Sequence, residues 1–115
     1  MEPDPPKYIR VLTWNCRRAT QNSQAWKYAQ ELSPDLMLLQ EVSGISSQIK
    51  EDFDVRYRSA IGKTGNRQRF GSVVAVRGEI TREIPLQSTY DWVNKELELF
   101  SGNIMACEVT SIETS

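Results

Sequence analysis

The chain has 115 residues, a net charge of −1, 39% hydrophobic residues and no histidine. That length suits one domain or part of one, and the composition is that of an ordinary soluble globular chain. The missing histidine excludes a Ser-His-Asp or Cys-His machine within these residues and a histidine-rich zinc site.

Residues 1–7, with three prolines, read as a disordered or extended tail without an apolar core, so an intracellular setting is expected. Tyr8 to Asn15 reads as a strand. Asn22 or Ser23 caps a predicted helix running to about Leu32, with Ala25, Trp26, Ala29 and Leu32 forming one apolar stripe. Pro34 stops it. Leu36 to Leu39 is uniformly apolar, the pattern of a strand buried on both faces. Ile45 to Asp52 is a short helix, Phe53 to Ser59 a strand and Gly62 to Asn66 a turn. Phe70 to Val76 and Glu79 to Leu86 are strands around Gly78. Gln87 to Lys95 reads as irregular, and Glu96–Phe100 with Ile104–Val109 as a hairpin about Ser101-Gly102-Asn103. No apolar run approaches the ~20 residues of a membrane span.

Asn15 and Glu41 stand at the C-terminal ends of two apolar runs joined by a helix. A β-α-β unit of that kind delivers both to one rim of a sheet, where open α/β sheets place their ligands. A carboxylate beside an amide there suits a hard cation such as Mg²⁺. The plain alternative is two solvated strand ends.

From Val55 to Arg77 the chain carries Arg56, Arg58, Lys63, Arg67, Arg69 and Arg77 and no acid. Such a stretch suits contact with phosphates, or serves only to keep an exposed edge soluble. Gly62-Lys63-Thr64 is not a P-loop, because Tyr57 stands where its first glycine belongs. Cys16 and Cys107 have no metal-ligand spacing and read as free thiols. Arg17 and Arg18 would lower the pKa of Cys16, but a thiolate nucleophile needs a base, so a structural role is expected. Tyr90 and Trp92 are candidates to line a groove.

Val11-Leu12-Thr13-Trp14-Asn15-Cys16-Arg17, then a helix, then Pro34-Asp35-Leu36-Met37-Leu38-Leu39-Gln40-Glu41-Val42 resembles the opening of the endonuclease/exonuclease/phosphatase superfamily. Phe70-Gly71-Ser72-Val73-Val74-Ala75-Val76 resembles its next landmark strand, and the likeness runs from about Tyr8 to Val109. It implies an α/β chain with a mixed, mostly antiparallel sheet: the N-terminal half of a four-layer α/β sandwich, a partial domain over residues 8–115. By the same resemblance Glu41 is a Mg²⁺ (or Mn²⁺) ligand and Asn15 supports the metal and the phosphate. Arg17 there suits a phosphate better than a metal; independently of the resemblance, Arg67 and Arg69 of the basic stretch are candidate phosphate contacts. The implied activity is hydrolysis of phosphodiesters or phosphomonoesters, nucleic acid being the favoured partner. The family's later Asp-x-Asn and Ser-Asp-His motifs are not in these residues. The chain alone is therefore expected to be inactive, with a C-terminal half to be supplied. Two alternatives stay open: a truncated non-catalytic remnant, and a nucleic-acid or partner-binding module.

Overall fold

A computed structural model describes residues 8–62, 65–100, 102–110 and 112. The tail expected over 1–7 lies outside them, as do Lys63 and Thr64 of the expected turn and Ser101 of the expected hairpin. Nine elements follow in order: β1 (Val11–Ala19), α1 (Ala25–Glu31), β2 (Leu36–Val42), α2 (Ser47–Asp52), β3 (Asp54–Ile61), β4 (Arg67–Val76), β5 (Glu79–Glu83), α3 (Asp91–Leu99) and β6 (Cys107–Thr110).

Strands β1 to β4 form one sheet in the order β1-β2-β4-β3, and β5 pairs with β6 in a second. The β1–β2 pair is parallel, so the expected β-α-β unit is present. The β2–β4, β3–β4 and β5–β6 pairs are antiparallel. The carboxyl ends of β1, β2 and β3 and the start of β4 consequently share one rim.

Side chains alternate across the pleat. One face of the larger sheet carries Leu12, Trp14, Met37, Leu39, Val55, Val73 and Ala75, which pack with Trp26 and Ala29 of α1 and with Ile49 and Phe53 at α2. Met37 and Ala75 are fully buried. Burying a side chain the size of Met37 stabilises the fold by about 1.5–3 kcal/mol. The helices are fastened locally. Trp26 Nε1 donates to the Thr20 carbonyl (2.8 Å), and Ser46 Oγ accepts from Ile49 N–H (3.2 Å) to cap α2. Ser23 Oγ accepts from Ala25 N–H (3.2 Å), so Ser23 supports the start of α1 from just outside it.

On the opposite face Leu36, Val74 and Val76 meet Ile80, Met105, Cys107, Val109 and Ile112, contributed by β5, β6 and their flanks. That second sheet lies over β4 and β3 and leaves the β1 side bare. Val11 is 51% and Leu38 37% exposed. The expectation that Leu36–Leu39 is buried on both faces is therefore corrected. Met37 and Leu39 point into the helix-covered core, while Leu38 faces the side that the short second sheet does not reach.

The hairpin expected over Glu96–Val109 is also corrected. Asp91–Leu99 is helix α3, and β6 pairs with β5 instead. Local order at the start of α3 accounts for this. Ser88 N–H donates to Asn94 Oδ1 (3.0 Å), Asn94 Nδ2 donates to the Ser88 carbonyl (2.8 Å), and Tyr90 N–H donates to Ser88 Oγ (3.0 Å). Asp91 and Lys95 stand at the helical i,i+4 spacing, with the acid on the N-terminal side. No helix among the described residues is long and apolar enough to cross a membrane.

Candidate metal and phosphate site

Two irregularities converge on Glu41. Between β2 and β4, Leu39 pairs with Val73 and Val42 with Gly71, so Gln40 and Glu41 together oppose Ser72. Between β1 and β2, Asn15 pairs with Gln40 and Ala19 with Val42, so Cys16, Arg17 and Arg18 together oppose Glu41. Bulges of this kind turn side chains out of the regular alternation. Three residues here take left-handed backbone angles, Arg17 (φ 49°), Arg18 (φ 64°) and Glu41 (φ 52°). For residues other than glycine such angles cost on the order of 1–3 kcal/mol and gather at functional sites.

The result is a short contact between two residues 26 positions apart: Asn15 Nδ2 donates to Glu41 Oε2 at 2.6 Å. Asn15 Oδ1 accepts from Arg17 N–H at 3.0 Å, which fixes the amide from its other side. Asn15 thus orients the carboxylate and engages its own oxygen with the backbone. Glu41 is half-buried and forms no ion pair with the described residues.

The arginines divide into two sets. Arg56 pairs with Asp54 at 3.3 Å, Arg58 pairs with Glu83, and Arg77 donates to the Pro34 carbonyl at 3.0 Å while stacking on Phe53. Arg58 and Arg77 thus tie separate elements together, and Arg56 is engaged within its own strand, so the three are not a phosphate track. Arg17, Arg67 and Arg69 are exposed and form no ion pair with the described residues. Arg67 and Arg69 open β4 at the same rim as Asn15 and Glu41. A cleft of about 280 Å³ runs along Tyr57, Arg58, Ser59, Ile61 and Arg67.

Arg18, which sequence reasoning gave no site role, lies with its guanidinium 4.6 Å from the centre of the Phe70 ring. It reaches from β1 across the end of β2 to β4, and so bridges the strand that carries Glu41. Two adjacent arginines before a bulge gave no signal of this; the partner ring lies far off in sequence.

Cys16 and Cys107 are free. Burial pushes the Cys16 thiol up to about 11, against an ordinary value of 9.0. The lowering expected from Arg17 and Arg18 does not occur, because Cys16 turns into the core beside Ala19 and Trp26 while both arginines are exposed. A structural role is what this environment supports.

A lone carboxylate held by an amide is a small donor set. Mg²⁺ is commonly bound by one or two carboxylates, with waters and substrate phosphates completing the shell, and the rim meets that minimum through Glu41. Among the described residues no group of three or more His, Cys, Asp or Glu side chains is placed to hold a metal. No protein-family model matches the chain, and no curated protein is significantly similar to it.

Proposed function

We propose that this chain carries the metal-binding half of a Mg²⁺-dependent phosphoesterase, with nucleic acid as the favoured substrate. The observation that carries the reading is the Asn15–Glu41 contact at the strained ends of β1 and β2. A half-buried carboxylate without an ion pair among the described residues, held by an amide, at the same rim as arginines that form no ion pair with the described residues, supports a reading of a cation and a phosphate there. In this reading Glu41 would hold Mg²⁺ (or Mn²⁺), which when bound would supply polarisation of a phosphoryl oxygen and stabilisation of the leaving oxygen. Asn15 fixes the carboxylate, and Arg17, Arg67 and Arg69 bind phosphate oxygens. Histidine, the commonest group for activating water, is absent from the sequence. Losing a general base typically costs about 10²–10⁴-fold, so the chain by itself should hydrolyse phosphate esters negligibly.

The fold belongs to the same proposal. The β5–β6 pair reads as the start of a second sheet, and exposed Val11 and Leu38 mark the face over which that sheet would extend. Completion in this way gives the four-layer sandwich implied by the resemblance.

Binding of Mn²⁺, followed by electron paramagnetic resonance, tests the site without requiring turnover. Wild type should bind one ion, more tightly with a short oligonucleotide present, and Glu41→Gln should lose that binding. Equal binding by Glu41→Gln would remove Glu41 from the site.

A further inference from the structure

The helix-covered side of the larger sheet holds a second opening, larger than the cleft at Arg67. Phe53, Val55 and Tyr57 recur at the strand period of two, and the first two pack into the helix-side core with Ile45. With the loop that follows β2 and with Lys50 of α2, they line a cleft of about 540 Å³. Clefts that take small molecules commonly measure about 300–1,000 Å³ and combine apolar walls with a few polar groups.

The walls are held in place by contacts within the protein. Ser43 N–H and Gly44 N–H both donate to the Ala19 carbonyl, at 2.8 and 3.0 Å. Gly44 also lies against the chain at Gln21, where an added Cβ would come within 2.9 Å of the backbone nitrogen. Across the cleft the Tyr57 hydroxyl donates to the Val42 carbonyl at 3.2 Å. That bond fixes the ring yet leaves Tyr57 39% exposed. The ring stacks on no other ring and no arginine among the described residues.

The two charged groups lining the cleft differ in what they already bind. Asp54 Oδ1 pairs with Arg56 at 3.3 Å and Oδ2 accepts from Ile80 N–H at 2.7 Å, so this carboxylate is engaged on both oxygens. Lys50 forms no ion pair with the described residues. We propose that this cleft binds a small aromatic anion, its flat body against Tyr57 and the apolar wall and its carboxylate or phosphate on Lys50. Charge selects the sign of the ligand: an anion meets an unpaired ammonium, whereas a cation meets a carboxylate whose partners are in place. The fixed ring selects the shape, because a flat aromatic body gains offset or edge-to-face contact beyond the area it buries. The proposal goes beyond the phosphoesterase reading and does not rest on it, since it uses neither Asn15 nor Glu41.

Calorimetric titration of the full chain with 2-naphthoate tests this, beside 2-naphthyl phosphate and the neutral 2-naphthamide. Wild type should bind one equivalent of an anion with a Kd of about 1 mM or tighter, as suits ligands of this size. The amide should bind at least about 5-fold more weakly. Lys50→Met should erase that difference and Lys50→Arg should keep it. Tyr57→Leu should weaken all three ligands by about 5-fold. Tighter binding of one anion identifies the charged group that the cleft takes. Equal affinity for anion and amide in wild type overturns the proposal, as does anion binding unchanged in Lys50→Met. Full binding by a folded Tyr57→Leu variant overturns it too, because the ligand then sits on other exposed apolar surface. Lys50 is exposed, so its two variants should fold, which circular dichroism verifies, and they decide the matter even if Tyr57→Leu does not fold. Mn²⁺ binding should be the same in Lys50→Met as in wild type, so loss of this cleft and loss of the Glu41 site are distinguishable results.

Discussion

At the scale of residues, Asn15 is a positioning group, and its loss should act through Glu41. Groups that hold a metal ligand are usually worth about 10–100-fold in metal affinity, so Asn15→Ala should weaken Mn²⁺ binding by that order while leaving far-ultraviolet circular dichroism unchanged. Asn15→Asp places a second anion against Glu41 and should shift the pH dependence of Mn²⁺ binding, which a purely structural asparagine would not do. Cys16 makes a separate prediction. Its thiol is raised by burial to about 11, so the folded state keeps a proton that the unfolded chain releases near 9.0. The unfolded state binds fewer protons in that interval, and stability falls as pH rises from about 9 to 11. Melting temperature measured across pH 8–11 should decline in wild type and decline less steeply in Cys16→Ala, where Cys107, also raised by burial, still contributes.

At the scale of elements, Gly71 leaves no room for a side chain in the sheet near the rim. It pairs with Val42 on one side and Ser59 on the other, and a Cβ there would collide with the Arg58 carbonyl. Gly71→Ala should cost at least about 1–3 kcal/mol, the usual range for overpacking, and chemical denaturation should register it. This scale also shows what the sequence could reveal. The β-α-β unit was legible because Pro34 and the change from helical to strand periodicity mark its joints, and Asn15 and Glu41 end their runs plainly. The bulges that bring them together were not legible, since backbone angles at Arg17, Arg18 and Glu41 depend on pairing with β4. Helix α3 was misread because Val93, Leu97 and the Ser88–Asn94 bonds compete with an alternating pattern in Glu96–Phe100. The basic stretch looked uniform until partners remote in sequence, Glu83 for Arg58 and Pro34 for Arg77, took its members apart.

For the whole molecule, the radius of gyration is 16.0 Å, against about 13 Å for a compact domain of this length. Its extents of 59 × 38 × 19 Å describe a slab. One broad face of that slab retains exposed Val11 and Leu38, and Tyr90, Trp92, Leu99 and Phe100 are exposed on and beside α3. Exposed apolar surface of this extent marks association or aggregation. The isolated chain should bind a hydrophobic dye and sediment as more than a monomer at micromolar concentration. A dye-negative monomer with a sharp melt would show that the slab is self-sufficient and would weaken the reading of an unfinished sandwich.

The left-handed backbone at Glu41 sets stability against chemistry at a single residue. Glycine adopts that conformation freely and alanine does not, so Glu41→Gly should be more stable than Glu41→Ala by about 1 kcal/mol, although both lack the carboxylate. A library selected only for thermal resistance would therefore drift toward glycine or asparagine at position 41 and lose the carboxylate on which the proposed cation site rests. A glutamate there gives up stability, a trade made where a protein needs the side chain for something other than folding.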